Sequence, residues 1–254
     1  MSLSVVLVTF NEASNIERCL QSVYDIADEI ILIDGGSTDN TVALVKKLDT
    51  RHKIKITHTN NPQNFHINKK KGIEKATGDW ILQIDADEEL SDGLKKEIPQ
   101  IISQESAKDG YWIPRLNFFM GQPLRKGGQY PDKTLRLYKR GKGMLPAQDV
   151  HEQALVSGLV RELHHDLLHY PYPSFQVYLN KWIRYAIFEA EKVHASGKKL
   201  SFVQYCIVKP KLWFLKTYFR HKGFQDGLPG FVFSLFSALR FVAIYAIVWE
   251  RQQK

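Results

Sequence analysis

Cysteine is scarce: Cys19 and Cys206 are the only two in a chain of 254 residues. Both fall in apolar helical patterns and read as buried thiols. That excludes a disulfide-stapled secreted scaffold and points to a reducing compartment. Internal repeats and low-complexity segments are also missing, which excludes solenoids and disordered tracts. The first apolar run leads into VTFNEASN, which lacks the GxGxxG turn of a dinucleotide-dependent oxidoreductase. It equally lacks the glycine-rich basic loop that a sugar-phosphate nucleotidyltransferase carries at that point. No nucleic-acid motif accompanies the net charge of +8, so the basic excess suits an anionic membrane or a phosphorylated substrate. That first run is short and enters Asn11-Glu12 directly, unlike a signal peptide, and the chain is expected to work in the cytoplasm.

What the chain does contain is alternation. Leu3–Thr9 is an almost unbroken aliphatic and β-branched run, the signature of a strand buried on both faces. A helical pattern follows from Ser14, with Ile16, Cys19, Leu20 and Val23 on one face. Asn11 or Ser14 is expected to cap it, Glu17 completing a capping box with Ser14. Strands are expected over 29–33, 53–59 and 80–84, and helices over 41–48 and around 72–76. This β-α-β-α-β-α-β order implies a parallel sheet with helices on both faces. Two strands end in carboxylates, in IILIDGGSTDNT and WILQIDADEEL. Ligands bind at the carboxyl ends of such strands. Asp85 and Asp87 would share a face on a continuing strand and suit a hard cation against phosphate oxygens. In GGSTD, Ser37 or Thr38 would cap the next helix.

Four segments in order, VTFNE, IDGGSTDNT, ATGDW and DADE, resemble glycosyltransferase family 2. The later segments Arg136-Leu137-Tyr138 and Val150-His151-Glu152 resemble its lipopolysaccharide-core β-glucosyltransferase branch. The resemblance implies an α/β GT-A fold, Rossmann-like and mostly parallel, over residues 1–170. Residues 1–90 would bind the nucleotide sugar and 91–170 would serve the acceptor. It also implies roles. Thr9, Asn11, Glu12, Asp34 and Gly35 would line the nucleobase pocket, Lys69 would meet the diphosphate, and Asp85 would contact ribose. Asp87, with Asp85 and a late histidine, His169, would hold Mg2+ or Mn2+. The general base would be Glu152, with Asp149 and Asp132 as the other candidates. Transfer would be inverting, from a UDP-linked sugar to a glycolipid or saccharide acceptor. A non-catalytic adaptor on a transferase scaffold is the competing reading.

The last third, 171–254, changes character. It becomes aromatic, apolar and basic, and 174–196 reads as an amphipathic helix. Residues 209–222 interleave five cations with Trp213, Phe214, Tyr218 and Phe219, a composition suited to an anionic bilayer interface. Residues 231–249 approach the length of a spanning helix, but the central Arg240 favours a segment that lies on or dips into the membrane. Peripheral attachment to the cytoplasmic face of the inner membrane is expected.

Overall fold

The computed structural model describes residues 1–62, 64–147 and 153–253. In chain order its elements begin β1 (Leu3–Thr9), α1 (Ile16–Val23), β2 (Glu29–Asp34), α2 (Thr41–Leu48), β3 (Ile54–His58) and α3 (His66–Lys75). There follow β4 (Trp80–Asp85), β5 (Glu88–Leu90), α4 (Asp92–Ile102), β6 (Gly110–Phe119), β7 (Gln122–Pro123) and β8 (Asp132–Lys139). Short strands β9 (Gly143–Met144), β10 (Leu155–Val156) and β11 (Val160–Glu162) precede β12 (Leu167–Tyr172). Helices then take over: α5 (Phe175–Ala195), a π-helical turn at Val203–Val208, α6 (Lys209–Phe214), a second π-helical turn at Leu215–Arg220, and α7 (Gly227–Gln252). The chain divides into two compact units, 1–115 with 132–169 and 116–131 with 170–254.

The first unit carries the sheet. Its order is β3-β2-β1-β4-β8-β6-β12-β5. β3, β2, β1 and β4 are parallel, whereas β4–β8, β6–β8 and β5–β12 pair antiparallel. The parallel character expected of the sheet therefore belongs mostly to its amino-terminal half, β11 beside β6 being the parallel pair outside it. β1, β2 and β4 are apolar along their length because both faces are covered. Leu3, Val5, Leu7, Leu82 and Ile84 pack against residues of α1, α2 and α4. Val6, Ile31, Ile33 and Ile81 pack with Ile73 of α3 and Ala76 on the other side. α3 approaches so closely that a Cβ on Gly72 would lie 2.6 Å from Val6 Cγ1.

The helix starts depart from expectation. α1 begins behind Asn15, and neither Ser14 nor Glu17 caps it. Asn11 is occupied elsewhere: its side-chain oxygen accepts the Thr38 N–H at 2.8 Å. α2 begins behind Asn40 without a side-chain cap. Ser37 Oγ instead accepts the Asn11 N–H at 2.9 Å. Both loops thus spend their polar side chains on each other, and the carbonyl of Glu12 receives the first N–H groups of α1.

A buried knot ties the amino-terminal edge together. Glu29 accepts bonds from Ser4 Oγ (2.6 Å), Thr77 N–H (2.6 Å) and Lys55 Nζ (2.7 Å). Burial by itself raises this carboxyl, but those bonds outweigh it and hold it at about 2, from an ordinary 4.5. Because the folded value is lowered, the stabilisation is complete above about pH 4.5 and is lost as pH falls toward 2. Glu29→Gln is therefore expected to flatten the acid-unfolding profile across that window. Circular dichroism against pH checks it, and an unchanged profile would refute it.

The second unit is built on aromatic packing. Phe119, Tyr172, Phe175, Tyr178, Trp182, Phe233 and Phe236 form one cluster, mostly in edge-to-face pairs. Ser174 caps α5 by accepting the Val177 N–H at 3.3 Å, and Gly197, at φ 67°, ends it, close to the helix read over 174–196. Arg240 in the middle of α7 pairs with Glu189 of α5 at 3.1 Å. Residues Gly223–Gln252 are long and apolar enough to cross a membrane by length and composition.

Candidate active site

At the carboxyl ends of β1 and β2 two loops are laced together. Asn11 adopts φ 55°, which frees its N–H for Ser37 and its side chain for Thr38. Glu12 N–H bonds Thr41 Oγ1 at 2.8 Å, and Gly35 N–H bonds the Thr9 carbonyl at 2.8 Å. Gly35 is needed here, since a Cβ would sit 3.2 Å from Asn61 Cβ and 3.3 Å from the Thr9 oxygen. Asp34 is buried and turned into its own loop. It accepts from the Gly36 and Ser37 N–H groups and contacts His58 Nδ1 at 3.1 Å. Burial opposes its charge, but the bonds from Ser37, His58 and Gly36 prevail and lower its carboxyl from the ordinary value. The sequence assigned Asp34 to a nucleobase. In the structure its oxygens also meet the turn's own N–H groups, so Asp34 organises the GGS turn as well.

The DADE segment does not continue as a strand. β4 stops at Asp85, residues 86 and 87 form a turn, and β5 starts at Glu88. Asp85 and Asp87 therefore do not share a face. The buried Glu88 closes the turn by accepting the Asp85 N–H at 2.8 Å. Asp85 lies between Lys69 (2.5 Å) and Arg136 (2.6 Å), each on a different oxygen. Glu88 in turn holds Arg136 and Arg115, both at 3.1 Å, and Arg115 reaches Asp132 at 2.6 Å. The result is an alternating chain, Lys69–Asp85–Arg136–Glu88–Arg115–Asp132. Five elements, α3, β4, β5, β6 and β8, converge to make it. α3 presents Lys69, and Asp132 lies directly opposite Arg115 in the β6–β8 ladder. A bulge at Arg136, which the register skips as Tyr111 pairs Leu137 and Trp112 pairs Leu135, re-aims that arginine.

Electrostatics follow from this arrangement. Burial penalises the Asp85 carboxylate, but Arg136 and Lys69 outweigh it and hold the group well below the usual carboxylate range. Burial, with Arg136 beside it, lowers the Lys69 ammonium against the opposing pull of Asp85. For Arg136 burial is overcome by Asp85 and Glu88, which raise it further and keep it charged. Lys69, Asp85, Arg115 and Arg136 line one cavity of about 230 Å³ with Gln83 and Thr134. Lys70 is exposed, and Lys71 bonds Thr59 Oγ1 at 3.0 Å, so Lys69 is the lysine of its run that faces the cavity.

Asp87 turns the other way. β12 pairs with β5 in the register Leu167↔Leu90, Leu168↔Glu89, His169↔Glu88. This brings His169 Nε2 to 3.5 Å from Asp87 Oδ2, both largely buried. One carboxylate and one imidazole suit a divalent cation that takes its other ligands from phosphate and water. Asp85 fits that role poorly, since both its oxygens are committed to cations. Among the described residues no group of three His, Cys, Asp or Glu side chains is arranged to hold a metal. Asp87 and His169 are the two side chains that this turn and β12 bring together for such a role. Beneath the turn, Cys19 Sγ donates to the Asp85 carbonyl at 3.4 Å. Burial first, then Glu88, Asp85 and Asp87, raise this thiol well above its ordinary value, which makes it unreactive.

Of the three carboxylates named as base, Glu152 and Asp149 lie outside the described residues. Asp132 takes both Nε and Nη2 of Arg115 on one oxygen, at 3.0 and 2.6 Å. Trp112, half-buried, packs against the cluster that holds Leu135 and Tyr138. Sequence reasoning missed Glu88, Arg115 and Arg136 as a cluster. The available signal was a glutamate following DxD together with arginines on two later strands.

The Glycosyl transferase family 2 model matches residues 4–109. The lipopolysaccharide core biosynthesis glycosyltransferase LpsC of Rhizobium meliloti is 28% identical over 255 residues, covering 99% of this chain and 93% of the relative. An uncharacterized glycosyltransferase of Rickettsia prowazekii, RP128, is 30% identical over 260 residues, covering 95% and 85%. Among solved structures, the mannosyltransferase PcManGT of Pyrobaculum calidifontis, in complex with GDP-Man and Mn2+, matches at TM-score 0.55 and 14% identity, covering 98% of this chain and 87% of that one. S. aureus TarS 1–349 in complex with UDP matches at TM-score 0.51 and 14% identity, covering 100% and 92%. At those identities the structural likeness speaks for the fold.

Proposed function

Because the chain belongs to glycosyltransferase family 2, we propose that this glycosyltransferase moves a sugar from a UDP-linked donor to a glycolipid or saccharide acceptor of the cell envelope. The observation that carries the reading is the pairing of Asp87 with His169 beside the cavity lined by Lys69, Asp85 and Arg136. The lipopolysaccharide-core relative supports an envelope acceptor, and TarS with UDP supports a uridine donor.

We assign the roles residue by residue. Thr9, Asn11, Glu12, Asp34 and Gly35 build the laced loops on which the nucleoside rests. Lys69 and Arg136, steered by Asp85, meet the donor's diphosphate with charge-assisted hydrogen bonds. A divalent cation, Mg2+ or Mn2+, held by Asp87 and His169 would supply positive charge for the leaving diphosphate. Glu152 takes the proton of the acceptor hydroxyl as it attacks the anomeric carbon, with Asp149 next in order. Attack opposite the leaving group inverts the configuration. Catalysis takes place at the cytoplasmic face of the inner membrane, with residues 171–254 in peripheral contact with lipid.

Titration calorimetry with UDP and GDP, each with Mn2+ and with EDTA, tests this reading. Metal-dependent UDP binding is expected. Tight GDP binding would redirect the donor to mannose-type nucleotides, as PcManGT suggests. No binding of either would favour a non-catalytic adaptor.

A further inference from the structure

The stretch Lys192–Gln225 holds eight cations, Lys192, Lys198, Lys199, Lys209, Lys211, Lys216, Arg220 and Lys222, and no carboxylate. The chain has 35 Lys and Arg against 27 Asp and Glu, so the other 27 cations are matched by all 27 carboxylates. The entire net charge of +8 is therefore concentrated in this one stretch.

Its helical part, Val203–Arg220, is two-faced. The inner face is spent on α7, where Tyr205 and Trp213 both meet Phe241 edge-on at 6.4 and 5.9 Å, and Thr217 is buried. The outer face carries a row of residues four apart: Val203, Ile207, Lys211, Leu215 and Phe219, all exposed. Residues so spaced stay within one turn of each other across the alternating π and α segments. Beside that row runs Leu212, Lys216 and Arg220, also exposed. Val203, Ile207 and Phe219 are each more than half exposed, and Leu212 is 60% exposed. Apolar side chains alternate with long cationic ones, whose stems can lie along hydrocarbon while their heads reach phosphate.

We infer that this outer face of residues 202–222, rather than α7, docks the enzyme on an anionic phospholipid surface, lying in the headgroup plane. The inference rests on the membrane-side acceptor proposed above. Charge complementarity selects the occupant: an apolar row fringed by cations with no acidic residue matches a negatively charged leaflet. α7 serves instead as the central helix of its unit. Arg240 at its middle is held by Glu189, and Trp182 Nε1 donates to its Phe236 carbonyl at 2.8 Å. The ion pair and the side-chain bond tie α7 to α5 within the protein.

Vesicle sedimentation with the full chain tests the inference, using phosphatidylglycerol–phosphatidylcholine vesicles against phosphatidylcholine alone. Wild type is expected to bind the anionic vesicles at least about tenfold more tightly, and to lose that preference as salt rises from about 0.05 to 0.5 M. The charge variant Lys211→Glu/Lys216→Glu/Arg220→Glu and the apolar variant Leu212→Ser/Leu215→Ser/Phe219→Ser are each expected to lose about tenfold or more. UDP calorimetry and the thermal midpoint are run on the same proteins. The charge variant alters only exposed side chains, so its fold is retained if the apolar variant fails. UDP binding by wild type without any vesicle preference overturns the docking inference and leaves the transferase reading standing. Vesicle binding retained by both variants overturns it in favour of α7. A dimer in size-exclusion chromatography that the apolar variant abolishes overturns it in favour of a second copy of the chain. Loss of UDP binding alone refutes the donor reading and leaves the docking result intact.

Discussion

Asp87→Ala is expected to lower kcat/KM by about 10³-fold, equivalent to about 4 kcal/mol of transition-state stabilisation. Asp87 lies against the imidazole of His169, whereas Asp85 of the same turn pairs with Lys69 and Arg136. Removing it leaves a single protein ligand, so the metal requirement should move to much higher concentration. Asp85→Asn makes the discriminating comparison. Asp85 bonds Lys69 and Arg136, so its loss disorders two cations and should raise KM for the donor more than it changes the metal requirement. Steady-state kinetics with Mn2+ titration separates the two. A normal metal dependence in Asp87→Ala, with an altered one in Asp85→Asn, would reverse the assignment.

Glu88→Ala is expected to cost about 3–5 kcal/mol of folding stability, the range for breaking a buried ion pair by deleting one partner. Glu88 is fully buried, accepts the Asp85 N–H, and is shared by Arg115 and Arg136. Its deletion leaves one backbone donor and two largely buried guanidinium groups without that carboxylate. Glu88→Gln keeps volume and an acceptor but loses the charge, and should fall between wild type and alanine. Urea denaturation at constant m-value measures the effect. In a double-mutant cycle, Glu88→Ala with Arg115→Ala should show a coupling of about 0.5–3 kcal/mol. A coupling near zero would mean that the pair is geometrically close but energetically idle. Because the same turn carries Asp87, the donor KM of Glu88→Gln should rise even where its fold holds.

The parts of the protein written in local pattern were legible in the sequence. β1 runs from Leu3 to Thr9 as read, and α2 from Thr41 to Leu48, because strands covered on both faces must be apolar throughout. α5 carries its cap and stop, Ser174 and Gly197, in its own flanking residues. Pairings between distant segments were not legible. Arg136 is 51 residues from Asp85 and 48 from Glu88, and no spacing rule connects them. Local capping rules failed at α1 and α2 for a related reason: the polar side chains that would have served there found partners 26 and 27 residues away.

By itself, then, the sequence determined the order of strands and helices, the family, and the two acidic strand ends where a nucleotide sugar would be met. Only the tertiary structure decided which partners the acidic residues face. A turn at residues 86 and 87 breaks the period-two alternation and sends Asp85 toward Lys69 and Arg136 and Asp87 toward His169. A β-bulge and the β5–β12 register bring the arginine and the histidine to them. Alternation along a strand is set by the chain's own geometry. Which charge a carboxylate faces is set by what the sheet places opposite it.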